Sequence, residues 1–168
     1  MPILTRSIAA IALATAALAA PALAQSAAPD TQTYLMKAGA SDKFEITEAK
    51  LMKASKNPQI KQFATQMITD HTKSTMMVKK AAMADHKTVK PAMLDADQKQ
   101  QVAQLTAAKG TERDSLYIQQ QKPAHQQALD LQQSYASGGA DQHLKDNAGQ
   151  IVPVVQSHID MLNQMPAM

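Results

Sequence analysis

The chain has 168 residues, 45% of them apolar and 18% charged, with 17 Lys and Arg against 14 Asp and Glu and no cysteine. With no thiol there is neither a disulfide nor a lipid-anchored cysteine behind an export leader, so a packed core has to supply the stability. Fifteen of the basic residues are lysines scattered along the chain and aromatics make up 3%, which excludes the clustered basic and aromatic surface of a nucleic-acid binder.

Residues 1–24 place Arg6 ahead of an alanine- and leucine-rich run that ends in Ala22-Leu23-Ala24. A charged start, an apolar middle and a small-x-small end describe a secretory signal peptide, cleaved before Gln25, and Pro21 interrupts the run too early for a spanning helix. The expected location is the periplasm or the extracellular medium. Setting Arg6 aside with the leader leaves 16 basic against 14 acidic side chains on a mature chain of 144 residues. That length suits one domain with its own core. No later stretch approaches the ~20 continuous apolar residues of a membrane span, and strand-like alternation is absent. Envelope association or a homo-oligomer is compatible with this composition, which names no partner.

Residues 25–30, QSAAPD, read as a flexible tail, and residues 31–168 as one helical domain. In helix one, from Thr31 to about Ser55, Leu35, Ala38, Glu45, Ala49 and Met52 share a face, with Phe44, Glu48 and Leu51 beside it. Gly39 weakens this helix. Asn57 is placed to cap helix two and Pro58 to occupy its first turn. Helix two carries Ile60, Ala64, Met67, His71, Ser74 and Val78 on one stripe to about His86, so a histidine stands where an apolar residue is expected.

Residues 87–97, with Pro91, form a crossover. Asp95 or Asp97 can cap a short extra helix that Gly110 stops at its C-terminal end. Helix three runs from Thr111 to about Ser137, through Pro123, with Asp114, Ile118, Gln121, His125, Ala128 and Gln132 on one face. After Ser137-Gly138-Gly139, Asp141 is placed to cap helix four. Its stripe is the cleanest in the chain: Leu144, Ala148, Ile151, Val155, His158, Leu162 and Met165. Four long helices with one long crossover predict an all-α four-helix bundle. PQIKQFA at 58–64 and QHLKDNA at 142–148 form a faint internal echo.

Three inward imidazoles on three helices, with Glu45 on the fourth, are a candidate metal set: His71, His125, His158 and Glu45. Imidazole and carboxylate together suit zinc, iron or copper. The competing reading is that each imidazole is a core group with its own hydrogen-bond partner. Geometry separates the two, because ring centres more than about 8 Å apart cannot share bonds of about 2 Å to one ion. Asp70, about 100° round the helix from His71, is a flanking candidate to orient a ligand or a surface charge. Tyr117 is a candidate hydrogen-bond donor to the cluster. His86 and His143 read as exposed. The ten mature methionines offer Met76-Met77 and Met161 with Met165 as thioether sites for copper(I), or more simply as core filler. There is no nucleophile elbow, glycine-rich phosphate loop or H-E-x-x-H helix, which argues against metal-free enzyme chemistry.

FEITEAKLMKASKNPQIKQFATQMITDHTKS, RDSLYIQQQKPAHQQAL and IVPVVQSHIDML resemble the exported bacterial family called domain of unknown function 4142. Its members are often labelled outer-membrane proteins and regarded as ferritin-like four-helix bundles. The resemblance maps onto Glu45, Asp70, His71, Asp114, Tyr117, His125, Pro153 and His158, which adds Asp114 to the supporting residues. It implies a fold and an export route but no reaction. A ferritin-type di-iron centre draws on Glu-x-x-His pairs. Here Ile68, Lys122 and Val155 stand three before the core histidines, and the chain has only Glu45, Glu48 and Glu112 as glutamates, so that centre is not expected. The function expected is a binding or envelope-maintenance role with a core cluster suited to one metal ion. The alternatives are a metal-dependent oxidoreductase or metal-handling protein, and a purely structural bundle.

Overall fold

The computed structural model describes residues 27–165. The leader, the tail residues Gln25 and Ser26, and residues 166–168 lie outside them. The protein is all-α: α1 (Thr31–Met52), α2 (Pro58–Ala84), α3 (Ala96–Ala107), α4 (Gly110–Gly138) and α5 (Gln142–Gln164), with no strand among the described residues. The third and fourth long helices expected from sequence are α4 and α5, and α3 is the short extra helix. None of these helices is long and apolar enough to cross a membrane.

Side-chain chemistry sets most of the boundaries. The Asp30 carboxylate accepts from the Thr33 backbone N–H to start α1. Asn57 Oδ1 accepts from Gln59 and Ile60, with Pro58 in the first turn of α2. Asp95 and Gln98 form a reciprocal capping box on α3. α2 ends in a Schellman-type turn: His86 takes φ 55° and the Lys87 N–H reaches the Ala82 carbonyl at 2.8 Å. Two expectations need correction. Gly110 opens α4 rather than stopping the helix before it, since α3 has already ended at Ala107 and the φ of 57° at Gly110 makes the sharp turn. Asp141 precedes α5 but its side chain does not cap it. The cap comes from Asp85, whose carboxylate accepts from the backbone of His143 (3.3 Å) and Leu144 (2.9 Å), while Asp141 turns to Lys87 and Thr31.

The long helices pack in cyclic order: α1 against α2, α2 against α5, α5 against α4 and α4 against α1. Their apolar faces fall into two clusters. One joins the start of α1 (Tyr34, Leu35, Ala38), the end of α2 (Val78, Ala82), the end of α4 (Leu129, Tyr135) and the start of α5 (Leu144, Ile151). The other joins the opposite ends: Ala49 and Met52, Phe63 and Met67, Tyr117 and Ile118, Leu162 and Met165, covered by Leu105 of α3. The pairing of ends makes α1 and α5 parallel to each other and antiparallel to α2 and α4. Because α2 and α4 run the same way, the chain must travel the full length of the core between them, which is what residues 85–109 do.

In the first cluster the Tyr34 and Tyr135 rings stack at 3.9 Å, and the Tyr34 hydroxyl donates to Gln132 Oε1 at 2.9 Å. Gly139 sits so close to Tyr135 that a Cβ there would lie 2.6 Å from its ring and carbonyl, so the α4–α5 link requires glycine. Between the two clusters the core is polar.

Candidate metal centre

The polar layer is built by continuing the helical stripes through it. On α2, His71 follows Met67 by one turn. On α4, His125 follows Gln121, and on α5, His158 follows Val155. Each position is one an apolar residue would fill, and all three residues are at most 5% exposed. Ring centres lie 5.4 to 5.7 Å apart, well inside the separation that would rule out a shared ion.

One nitrogen of each ring is tethered outward. His71 Nδ1 lies 2.9 Å from Asp42 Oδ1, and Asp42 is itself held by the Thr75 hydroxyl at 2.8 Å. His125 Nδ1 donates to the Gln121 carbonyl at 3.0 Å. His158 Nε2 lies 3.0 Å from Asp70 Oδ2 across the α2–α5 contact. The tethers leave His71 Nε2, His125 Nε2 and His158 Nδ1 buried and without a protein partner. One ligand atom from each of these three residues falls within 4.8 Å of the others. In neutral rings whose tethered nitrogen carries the proton, three lone pairs therefore converge. Like dipoles facing one another in a low-dielectric core are unfavourable until a cation or proton stands among them.

The protonation pattern agrees. Burial and the charge of its neighbours His71 and His158 push His125 down to about 3. Burial opposes a proton on His71, but the hydrogen bond and charge of Asp42 outweigh it and raise the pKa above the ordinary imidazole value. His158 is lowered by burial and by His71, against the pull of Asp70. Of the three rings His71 is thus the most favourable to a proton.

The remaining candidates separate by height along the helices. Glu45 is completely buried but lies on the outer side of His125: its Oε1 is 3.7 Å from Nδ1, too long for a hydrogen bond, and it is not among the converging atoms. Asp70 orients His158, not its chain neighbour His71. Tyr117 belongs to the apolar cluster below, and its hydroxyl has no protein partner. Asp114 is 11 residues before His125, a rise of about 16 Å, and accepts from Ser55 Oγ at 3.0 Å in the α1–α2 turn. It does not reach the histidines. His86 and His143 are exposed, although the His143 ring pairs with Asp85 at 2.6 Å. Met165 is buried in the second apolar cluster with Met161 packed against it, and Met76 is exposed. The methionines thus serve packing or lie at the surface.

Asp42 is the residue that sequence reasoning missed. The α1 stripe passes from Ala38 to Glu45, a gap of seven, and position 42 is the turn between them. An aspartate there, opposite a core histidine, was the available signal.

A cavity of about 20 Å³ adjoins His71 and His158 and is also lined by Asp42, Asp70 and Ser74. It has room for about one water. The domain-of-unknown-function model DUF4142 matches residues 13–165 of the sequence. The chain belongs to the DUF4142 family. That assignment carries no activity with it, and no curated protein and no solved structure matches the chain. Within this DUF4142 chain the chemistry must be argued from the side chains alone.

Proposed function

We propose that this is an exported DUF4142 protein, built as a ferritin-like four-helix bundle, that binds one transition-metal ion on His71, His125 and His158. The single full-length crossover between the diagonally opposed parallel helices α2 and α4 supports the ferritin-like connectivity. The observation that carries the metal reading is the set of three buried imidazoles from three helices, each tethered at one nitrogen and open at the other. A group that merely filled the core would satisfy both nitrogens or present carbon. Three imidazoles suit zinc, copper or iron. Tetrahedral bonds of about 2.0 Å need nitrogens about 3.3 Å apart, so each side chain has to move less than about 1 Å. Asp42 and Asp70 would fix ring orientation and raise ligand basicity, the usual role of a carboxylate behind a metal-bound histidine.

The cavity beside His71 and His158 favours a second reading of the same centre. Three protein ligands and room for one water match the open coordination of metal-assisted catalysis, which fits a metal-dependent enzyme. The experiment that tests binding is the metal content of tag-free protein purified from the periplasmic fraction, with a titration of Zn²⁺, Cu²⁺ and Fe²⁺ into metal-free protein. One equivalent is expected for the natural chain and none for His71→Ala with His158→Ala. Equal, background metal in both proteins would leave the purely structural reading. Mass spectrometry of the same preparation tests export, with a mature chain expected to start at Gln25.

A further inference from the structure

Directly below the histidines, α1 and α4 meet through a second polar group that the metal reading does not use. Glu45 and Glu48 lie one turn apart on α1, and Tyr117 and Gln121 one turn apart on α4, and all four are fully buried. The Gln121 amide donates to Glu48 Oε2 at 2.9 Å. The Glu45 carboxyl acts electrostatically on Glu48, and both act on the Tyr117 phenol, so the four form one neighbourhood. Among the described residues, five of their oxygens have no hydrogen-bond partner: Glu45 Oε1 and Oε2, Glu48 Oε1, Gln121 Oε1 and the Tyr117 hydroxyl. Against two carboxyl groups the layer offers the two N–H groups of one amide, one of them engaged by Glu48, and one phenol. A fully buried carboxylate with neither oxygen bonded is among the costliest groups a core can hold, and burying it beside another makes it worse.

A groove runs beside this layer, with Glu45 in its wall. The α1–α4 seam opens into a groove of about 640 Å³, bounded on one side by the start of α3. Glu45 lines it together with Asp95, Asp97 and Asp130, and among the described residues Lys37 is the only basic one in its wall. A cleft of one charge sign raises the local concentration of ions of the other.

We propose that Glu45, Glu48, Gln121 and Tyr117 form a second cation site, distinct from the histidine centre, that takes a hard divalent ion of the Ca²⁺, Mg²⁺ or Mn²⁺ class. The donor set contains only oxygen, which selects against the softer ions that imidazole attracts. Two carboxylates neutralise a divalent charge, and waters entering from the groove complete the coordination that the protein oxygens begin. The core then holds two ions of different chemistry, nitrogen-bound between the apolar clusters and oxygen-bound on the α1–α4 seam.

The test begins with full-length mature protein whose histidine centre has been filled with one equivalent of Zn²⁺. Mn²⁺ is titrated and followed by loss of its free-ion paramagnetic resonance signal, and Ca²⁺ by calorimetry. One further equivalent is expected. Glu45→Gln and Glu48→Gln keep the shape of the side chains and should each weaken Mn²⁺ binding at least tenfold, with circular dichroism confirming the helices. The His71→Ala, His158→Ala protein, which tests the histidine reading, should bind Mn²⁺ as before. Tb³⁺ should luminesce on tyrosine excitation, and Tyr117→Phe should remove that signal while retaining bound Tb³⁺. No uptake of Mn²⁺ or Ca²⁺ by the zinc-loaded protein, or uptake that both glutamine variants leave unchanged, would overturn the proposal. Either result leaves the zinc titration free to stand or fall alone.

Discussion

The two polar layers of this core solve the burial of charge in opposite ways. In the histidine layer every ring is held from outside, by Asp42, Asp70 or the Gln121 carbonyl, and only the inward nitrogens are open. In the glutamate layer one amide ties one oxygen of Glu48, and the rest of the carboxyl oxygens are open. The difference shows in the protons. Burial drives His125 down to about 3, toward the neutral form that a metal needs. Burial drives Glu45 up to about 7 and Glu48 up to about 8, toward the neutral form that a cation must displace. In the first layer only His71 is shifted toward its protonated form, whereas in the second both carboxyls are.

The sharpest way to break the contrast is to remove its nitrogen half. His71→Ala with His158→Ala should abolish stoichiometric zinc or copper binding by calorimetry, and with it the metal-dependent rise in thermal stability. At metal 1,000-fold above its dissociation constant that rise is worth about 4 kcal/mol in the natural protein. A thermal midpoint that metal raises equally in both proteins would refute the assignment of the ligands.

The pH dependence of the metal-free protein reads both layers at once. For Glu45 and Glu48 the folded pKa lies above the ordinary carboxyl value, so the folded state binds the extra protons. Their contribution is full below about 4.5 and is lost as pH rises through about 7 and 8. For His125 the folded pKa is depressed, so its contribution is present above 6.5 and lost as pH falls toward about 3. His71, with a raised pKa, adds stability below 6.5 that is lost on the alkaline side. Denaturant unfolding should therefore show maximal stability on the acid side of neutrality, with a decline on the order of 3 kcal/mol by mildly alkaline pH. Replacing both glutamates by glutamine should flatten that alkaline limb and spare the acid one. A flat profile in the natural chain would show that the glutamates are not shifted.

Smaller effects discriminate within the histidine layer. Asp42→Asn should lower transition-metal affinity about 10- to 100-fold, the range seen when a carboxylate behind a histidine ligand is removed. Asp70→Asn should cost less, because the Asp70 side chain is 27% exposed against 9% for Asp42 and water can replace it. Equal losses would mean that solvent does not reach Asp70. A control belongs to neither layer: His86→Gly relieves the left-handed backbone at the end of α2 and should raise stability by about 1 kcal/mol, with metal binding unchanged.

Particular residues show how far the primary structure reads itself. The α5 stripe from Leu144 to Met165 is buried at every expected position, because six apolar residues and His158 repeating at helical spacing leave an amphipathic helix only one face to bury. Asn57-Pro58 and Asp95 act as the caps their local chemistry demands. Local chemistry was silent where two carboxylates compete for one helix end. Asp141 stands at the right place for α5, yet Asp85 from the end of α2 takes the role, since Lys87 and Thr31 draw Asp141 away. Asp42 was passed over because an isolated aspartate on a helix face has no sign of its own until His71 stands opposite.

Sequence by itself therefore determined the helices, the faces they bury and the three histidines on those faces, since these follow from period and capping within one segment. Only the tertiary structure decided that the three rings meet at one height while Asp114 does not, that Glu45 stands behind His125 rather than among the converging nitrogens, and that Glu45 shares a layer with Glu48, Gln121 and Tyr117. Those facts depend on the axial register between helices. Register is the sum of loop lengths, crossover path and side-chain interdigitation across the whole core, and no single segment carries it.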